Sequence, residues 1–535
     1  MATIFGSGAM SNSIAEIQGN EVIFIIGSNT KEAHPVLATE MIKASRNGAK
    51  IIVADPRWTE MARFSYLWLN QRVGTDIALL NAMAHVIVKE GLQDHEFIKK
   101  NTTDYEKWLE SVMQYTPEAA EKITGVNKND IIKSAKTYGS SRKSAIYYTM
   151  GITQHSCGTM NVNAIANLAI LTGNIGRKFT GINPLRGQNN VQGACDAGCL
   201  PNVFIGYQRV DIPEIRNKIE TQWDVSLSGK PGLMSSQYSK AILDGSLKAL
   251  YVMGENPILG DPNVRHTINA FEKLDLLIVQ DIFLTETARL AHVVFPSATF
   301  AEKDGTFTNT ERRIQRIRKA LIPPDEAKED SWIISQLATK LGYDMRYNNI
   351  EDIFDEMASL WTAIAGVNYT KLEKTGIQWP CPTKEHPGTE YLYKSGFPKG
   401  KVAFTPVEFI PSIEDGSYPL RLITGRRLFH YHYASMTGKS DAINQVSGSA
   451  HIEINPEDLE EFNLTDGQTV FVSSRSGSLE IKAISSDRVK KGEVFIPMHY
   501  CKEAVNLLSE DNVLDPYSKT PRYKGIPVKI TSVKM

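Results

Sequence analysis

"EVIFIIGSNTKEAHP", Glu21 to Pro35, decides the architecture. A short apolar run breaks at Gly27 into a polar turn, and a proline follows. Such a run, ended by a turn signal, reads as a buried strand over 21–26. An amphipathic helix is expected from Pro35 to Arg46, stopped by Gly48. "KIIVADPR" is then the next strand, ending at Asp55. The unit is strand–helix–strand. Its first turn would offer backbone N–H groups and a helix N-terminus to an anion.

The same pattern returns in "LKALYVMGENPILGDP". Gly27 and Asn29 match Gly254 and Asn256. Downstream, "IIVADPRWTEMARFSYLWL" parallels "LLIVQDIFLTETARLAHVVF", with Asp55 on Asp281 and Arg63 on Arg289. Two matches that keep register over roughly 40 residues indicate a duplication. The fold class expected is therefore α/β, with two related Rossmann-like lobes. Each lobe offers a glycine turn for phosphates and a carboxylate at the end of the next strand, suited to ribose or base donors. Either both copies bind a nucleotide-bearing group, or only one still does. No G-x-G-x-x-G occurs, which disfavours a nicotinamide cofactor.

A third strand, "SAIYYTM", runs into a turn at Gly151–Gln154, and a helix follows that Gly173 and Gly176 close. Next comes "NPLRGQNNVQGACDAG", Asn183 to Gly198: one arginine among carboxamides and glycines. From about Pro380 to Thr405 the chain is rich in Pro, Gly and Lys. After about Tyr418, "PLRLITG", "AHIEINP", "QTVFVSSRSG", "SLEIKAISSD" and "GEVFIPMHY" are short alternating segments, as in a small β barrel or sandwich. Two polar, aromatic and basic stretches, "GRRLFHYHYASMTG" and "SKTPRYKGIPVKI", are placed to close over a ligand. The expected domains are 1–188 and 189–345 (the two lobes), 346–415 (a connecting segment) and 416–535 (the barrel).

Bulk properties exclude several classes. With 535 residues, 42% apolar, 22% charged and a formal net charge of −1, the chain is globular, with no basic field for nucleic acid. No apolar run is long enough for a membrane span, and MATIFGSGAM, without a basic start or a long apolar core, does not read as a signal peptide. Cys157, Cys195, Cys199, Cys381 and Cys501 are scattered, without a CxxC. That suits reduced thiols and a cytoplasmic setting, and excludes a zinc ribbon or an iron–sulfur site within this stretch.

Together "PLRGQNNVQGACDAG", "IIGSNTKEAHP", "VADPR", "GTDIALLNAMAHVI", "MGENP", "VQDIFLTETA", "SMTG" and "SKTPRYKG" resemble the catalytic alpha subunit of molybdenum- or tungsten-dependent formate dehydrogenases, in the dimethyl sulfoxide reductase superfamily. The resemblance implies two molybdopterin guanine dinucleotides with Mo or W, one per lobe, and a C-terminal barrel of the double-psi type. It assigns first-lobe contacts to Asn29, His34, Asp55, Pro56 and Asp76, with Gly151 and Gln154 from the third turn. Second-lobe contacts would be Gly254, Glu255, Asn256, Gln280, Asp281, Ser297 and Asp330. Arg426, His430, Ser435, Tyr523 and Lys524 would come from the barrel. Arg186 would hold the carboxylate of formate, with Gln188 and Asn189 lining the pocket. A planar, always charged fork suits two carboxylate oxygens. Formate and CO2 would be the reactants, and iron–sulfur, flavin or hydrogenase-type subunits the electron partners.

Members of that family begin with a [4Fe–4S] domain and a Cys or selenocysteine metal ligand. This sequence contains neither, and "FGSGAMSNSIAEI" resembles the stretch just past that ligand. The expectation is a reading frame opened at an internal methionine, with no formate oxidation by this chain alone. No residue here is assigned as a metal ligand, Cys195 included. The alternative is a pterin-dinucleotide-binding protein without redox turnover.

Plainer readings compete at single positions. Arg186 would pair with a carboxylate such as Asp196. His155 would be a hydrogen-bonded pocket wall. Asp55 and Asp281 would cap turns. "HYHY", 430–433, on a strand would send both histidines to one face. Tyr523 and Lys524 would be surface residues, and lysines 99–100 and 490–491 solvated faces.

Overall fold

The computed structural model describes residues 1–411, 416–500 and 504–533; Cys501 lies outside them. The chain forms two compact units: 1–187 with 259–264 and 391–535, and 188–258 with 265–390. The segment expected as a connection, 346–415, is thus divided between them, and it includes a helix at Ile350–Leu360.

In the first unit a parallel sheet is built from β1 (Val22–Ile26), β2 (Lys50–Ala54), β3 (Leu67–Leu69), β4 (Ser144–Tyr148) and β5 (Gly181–Pro184). Its spatial order is β3-β2-β1-β4-β5. Every residue of β1 and β4 is buried, as a parallel sheet covered on both faces requires. Each large apolar side chain so buried contributes about 1.5–3 kcal/mol. Between β1 and β2 runs α1 (Pro35–Arg46), with Pro35 in its first turn and Leu37, Ala38, Met41 and Ala44 buried. α2 (Asp76–Lys89) and α3 (Gly158–Leu171) are buried nearly all round, which marks them as core helices. The strand order reverses between β1 and β4. A doubly wound sheet opens its crevice there, at the carboxyl ends of the strands.

The second unit holds β6 (Ala249–Met253), β7 (Leu276–Asp281) and β8 (Val293–Pro296), parallel, in the order β8-β7-β6. The duplication is confirmed strand by strand. Val22 pairs with Lys50 and Ala249 with Leu276; Ile52 pairs with Leu67 and Ile278 with Val293. Positions 22 and 249 are 227 residues apart, and 50 and 276 are 226 apart. The one-residue deletion therefore falls in the helical crossover between the first two strands. The glycine turns repeat to the atom: Gly27 N–H donates to Ala54 O at 3.0 Å, and Gly254 N–H to Gln280 O at 2.9 Å. Their φ angles are +55° and +61°.

The first unit also contains a closed barrel of β9 (Leu420–Gly425), β10 (His451–Ile454), β11 (Thr469–Ser473), β12 (Ser478–Ser485), β13 (Glu493–Pro497) and β14 (Lys524–Ser532), in the order β9-β13-β10-β12-β11-β14. Two expectations are corrected. "SKTPRYKGIPVKI" is not only a closing loop: from Lys524 it is the barrel's sixth strand, and its alternate residues from Lys524 to Ile530 are buried. "HYHY" is not a strand but a turn, with His432 and Ala434 at φ +53° and +62°. Among the described residues no helix is long and apolar enough to cross a membrane.

Candidate active site

Two turns meet at the switch point. Gly151 N–H donates to Gly27 O at 3.1 Å, and Thr149 Oγ1 donates to the same oxygen at 2.7 Å. The approach excludes side chains: a Cβ on Gly151 would lie 2.4 Å from Gly27 O. No sequence signal links these turns, because their contact spans most of a lobe.

From the Gly27 turn rise Asn29 and His34. His34 Nε2–H donates to Arg186 O at 2.7 Å. Burial and the charge of Arg426 hold the imidazole below its usual range, against the pull of the Arg186 carbonyl. The ring is therefore neutral near pH 7, and Nδ1 is an acceptor. That atom is buried with no hydrogen-bond partner, and so is Asn29 Oδ1. Asn29 Nδ2 is held by Glu32 at 2.9 Å. Two orphaned buried acceptors beside a helix N-terminus call for a ligand carrying N–H donors. Pterin and guanine rings carry such donors, so these residues fit the expected group.

A buried charge layer lies behind them. Burial raises Asp55 to about 7, although Arg57 N–H donates to its Oδ1 at 3.0 Å. Burial lowers Lys524 to about 8, while Asp55 pulls it back up. Lys524 Nζ donates to Thr424 O at 2.5 Å, so it is not a surface lysine. Asp76 takes Gln71 Nε2 at 3.0 Å, and burial raises it. His155 donates from Nε2 to Gly151 O at 2.9 Å, and burial lowers it; it is a hydrogen-bonded wall. Tyr523 N–H donates to Gln154 O at 3.1 Å, which joins the barrel to the third turn. Pro56 lines a cleft of about 500 Å3 with Trp68, Asn70, Arg72, Arg488 and Lys490. Lys490 is half-buried there, not on a solvated face.

The barrel loop is mixed. Arg426 lies over the Tyr431 ring at 5.9 Å, and burial together with Arg426 brings His432 down to about 4. His430 is buried, its Nε2 donating to Ser447 O at 2.6 Å and its Nδ1 3.1 Å from Thr437 Oγ1. Both its ring nitrogens are thus engaged within the loop. Ser435 is half-buried in the same turn.

In the second unit the matching residues form a closed network. Asn256 Oδ1 accepts from Thr287 Oγ1 at 2.7 Å, and its Nδ2 donates to Glu286 at 2.8 Å. Gln280 Nε2 donates to Asp330 at 2.6 Å, while its Oε1 accepts from Tyr251 OH. Lys303 pairs with Asp330. Asp281 Oδ1 accepts from Ile282 N–H at 2.7 Å, so it does cap its own turn, and burial raises it. Ser297 N–H donates to Asp281 O at 3.1 Å. Glu255 Oε1 accepts from Asn256 N–H at 3.0 Å. Thr287, Glu286 and Lys303 were not singled out from the sequence; Thr and Glu beyond the next strand carry no local signature.

Arg186 lies two residues beyond β5 in the first unit and is half-buried. The carboxylate offered as its structural partner, Asp196, is engaged in the second unit by Gln192, Tyr207 and Trp379 at 2.7, 2.9 and 2.8 Å. Gln188 and Asn189 begin that unit. None of the four described cysteines is in a disulfide, and burial pushes Cys157 up to about 12. Among the described residues no three His, Cys, Asp or Glu side chains gather as a metal-ligand set.

The chain matches the molybdopterin oxidoreductase family over residues 3–340 and the molybdopterin dinucleotide binding domain over 420–527. It is 48% identical to the "F420-dependent formate dehydrogenase subunit alpha" of Methanocaldococcus jannaschii, over 100% of this chain and 80% of that protein. It is 41% identical to "Formate dehydrogenase H" of Escherichia coli, over 99% of this chain and 75% of that protein. The acetylene hydratase of Pelobacter acetylenicus shares the fold, with a TM-score of 0.80 at 19% identity, covering 99% of this chain and 80% of that one. With its duplicated glycine turns, its barrel and these matches, the chain belongs to the molybdopterin oxidoreductase family, as a homologue of formate dehydrogenase alpha subunits.

Proposed function

We propose that this chain forms the catalytic body of an enzyme that interconverts formate with CO2, a proton and two electrons, using two molybdopterin guanine dinucleotides and Mo or W. The observation that carries it is the His34 clamp. One nitrogen fixes the backbone of Arg186, and the other is a bare buried acceptor on the first-lobe turn. The arginine and the ligand-seeking turn are thereby one assembly. When bound, the metal–pterin group supplies two-electron acceptance, chemistry that no side chain provides.

This chain's residues bind and orient. Arg186 grips the formate carboxylate through paired N–H donors. His34 sets the height of that fork. Asn29 and His34 would accept from one pterin, and Asp55 from a guanine donor. Gly254, Glu255, Asp281, Ser297 and Asp330 would serve the second dinucleotide. Asp76, Gly151, Gln154, Gln188, Arg426, Ser435, Tyr523 and Lys524 complete the contacts. Electron-transfer subunits take the two electrons.

The test is the holoenzyme purified with its partner subunits. Guanine nucleotide released per chain and formate-dependent dye reduction are measured together. Two guanines with formate turnover are expected. Two guanines without turnover favour the second reading, a dinucleotide-binding protein; no guanine refutes both.

A further inference from the structure

β5 is an edge strand: β4 covers one side of it. Its other side is occupied by Ser11 and Asn12, far away in sequence. Ser11 N–H donates to Ile182 O at 3.1 Å, and Ile182 N–H donates to Ser11 Oγ at 3.0 Å. Asn12 N–H donates to Asn183 Oδ1 at 3.2 Å. Asn12 Nδ2 donates to Glu16 Oε2 at 2.6 Å and Arg177 O at 2.9 Å, and its Oδ1 accepts from Ser11 Oγ at 2.9 Å. Ser11, Asn12 and Asn183 are all buried, at 0%, 1% and 0% exposure. Gly181 makes the approach possible: at φ +115° its Cβ would lie 2.2 Å from Asn12 Oδ1.

Arg186 projects three residues beyond Asn183. Between them Leu185 N–H is held by Tyr148 O at 2.9 Å. The backbone carrying the arginine is thus pinned on both edges before His34 takes its carbonyl. We propose that Ser11 and Asn12 form a strap that registers β5, with Asn12 a positioning residue for the Arg186 guanidinium: its backbone N–H holds Asn183, and its side chain, bonded to Ser11, Glu16 and Arg177 rather than to β5, holds the strap in place. The strap acts through β5 and touches no reactant. The inference rests on the reading of Arg186 as the formate-holding residue. The strap's hold on β5 does not depend on which substrate is used.

The test compares Asn12→Ala and Ser11→Ala with Asn20→Ala in the holoenzyme. Asn20 is a control of similar burial on the same segment. Its Nδ2 donates to Phe179 O at 2.8 Å and its Oδ1 accepts from Tyr147 OH at 3.1 Å, so it does not bond β5. Two readouts are taken: amide exchange over residues 182–187, and the split of KM for formate against kcat. Asn12→Ala should speed exchange there and raise KM about 10- to 100-fold, as a small misplacement of a binding group does, with kcat per loaded site within about threefold. Asn20→Ala should leave both unchanged even where it lowers thermal stability. If Asn12→Ala does not fold, Ser11→Ala removes the acceptor for Ile182 and the donor to Asn12 Oδ1, and is read in its place. Unchanged exchange and KM overturn the proposal, as do equal shifts in the Asn20 control. If the wild type does not use formate, faster exchange confined to the strap variants retains the strap and rejects the formate reading. Unchanged exchange rejects the strap.

Discussion

Gly27 and Gly254 are equivalent turn residues with different surroundings, so one substitution made at both separates two effects. Each has positive φ, and an alanine there costs about 1–2 kcal/mol for the left-handed backbone alone. Among the described residues nothing lies within 4 Å of a Cβ added at Gly254, so the cost ends there. At Gly27 the Cβ would stand 2.7 Å from the Gly151 carbonyl carbon and 2.9 Å from Ile152 N. That backbone can retreat only by loosening the hydrogen bonds of Gly151 and Thr149 to Gly27 O, at about 1 kcal/mol each. Gly27→Ala should therefore cost about 3–4 kcal/mol, and Gly254→Ala about half of that. The assay is denaturant unfolding of cofactor-free protein, with each transition fitted separately, because a chain of two units need not unfold in one step. Pterin content is measured in parallel. Gly254→Ala should lose pterin out of proportion to its small loss of stability, because its methyl enters open space before the turn. Equal destabilisation by the two substitutions, or a mild Gly27→Ala, would refute the reasoning.

Three further outcomes are expected. Arg186→Lys keeps the charge and loses the fork. Losing one charge-assisted contact of about 1.5–3 kcal/mol weakens formate binding about 10- to 100-fold; an unchanged KM removes Arg186 from the pocket. Arg57 and Glu453, 3% and 4% exposed at the side chain, are bonded at 2.6 and 2.9 Å, with the guanidinium 4.0 Å over the Phe495 ring. Arg57→Met should cost about 3–5 kcal/mol by taking the close partner from a buried carboxylate that keeps only a longer contact to Arg427, at 3.6 Å, while Arg57→Met with Glu453→Leu recovers most of it. A loss below about 1 kcal/mol in the unfolding midpoint of the single variant denies that this pair joins the barrel to the first lobe. Burial raises Asp55 and Glu493 to about 7, so their contribution to stability is complete below about pH 4 and is lost as pH rises to about 7. Lys524, lowered to about 8, contributes fully only above the ordinary lysine range and loses that contribution as pH falls through about 8. Cofactor-free protein should show its lowest melting temperature near pH 7–8, a minimum that Asp55→Asn makes shallower. A flat profile contradicts the buried charge layer.

Much of the fold was legible because the signals were local. Val22–Ile26 is an unbroken apolar run, Pro35 and Gly48 bracket a helix, and the repeated register exposed the second lobe. The sixth barrel strand was obscured because Arg522, Tyr523 and Lys524 look like a polar loop. Lys524 is buried only because Thr424, a hundred residues earlier, supplies two acceptors. "HYHY" was misread because alternation resembles a strand, whereas His432 at positive φ breaks it. The site was legible as a set of residues and not as a set of bonds. Nothing in the sequence near His34 announces Arg186, and nothing near Asn12 announces β5.

The two lobes show why matched residues diverge in use. In the first, β4 and β5 continue the sheet beyond β1, and the turn after β4 folds over Gly27. Thr149 and Gly151 satisfy the Gly27 carbonyl, and the Asn29 amide oxygen is left over. In the second, among the described residues, β6 is the sheet edge, and no turn comes over Gly254. Asn256 then finds partners inside its own lobe, on Thr287 and Glu286. A buried amide must be bonded somewhere. Where the scaffold supplies partners the residue becomes a brace, and where it withholds one the residue is left to bind a ligand. By that criterion the first lobe offers unsatisfied side-chain acceptors, whereas the second presents an open glycine turn with backbone exposed to close approach.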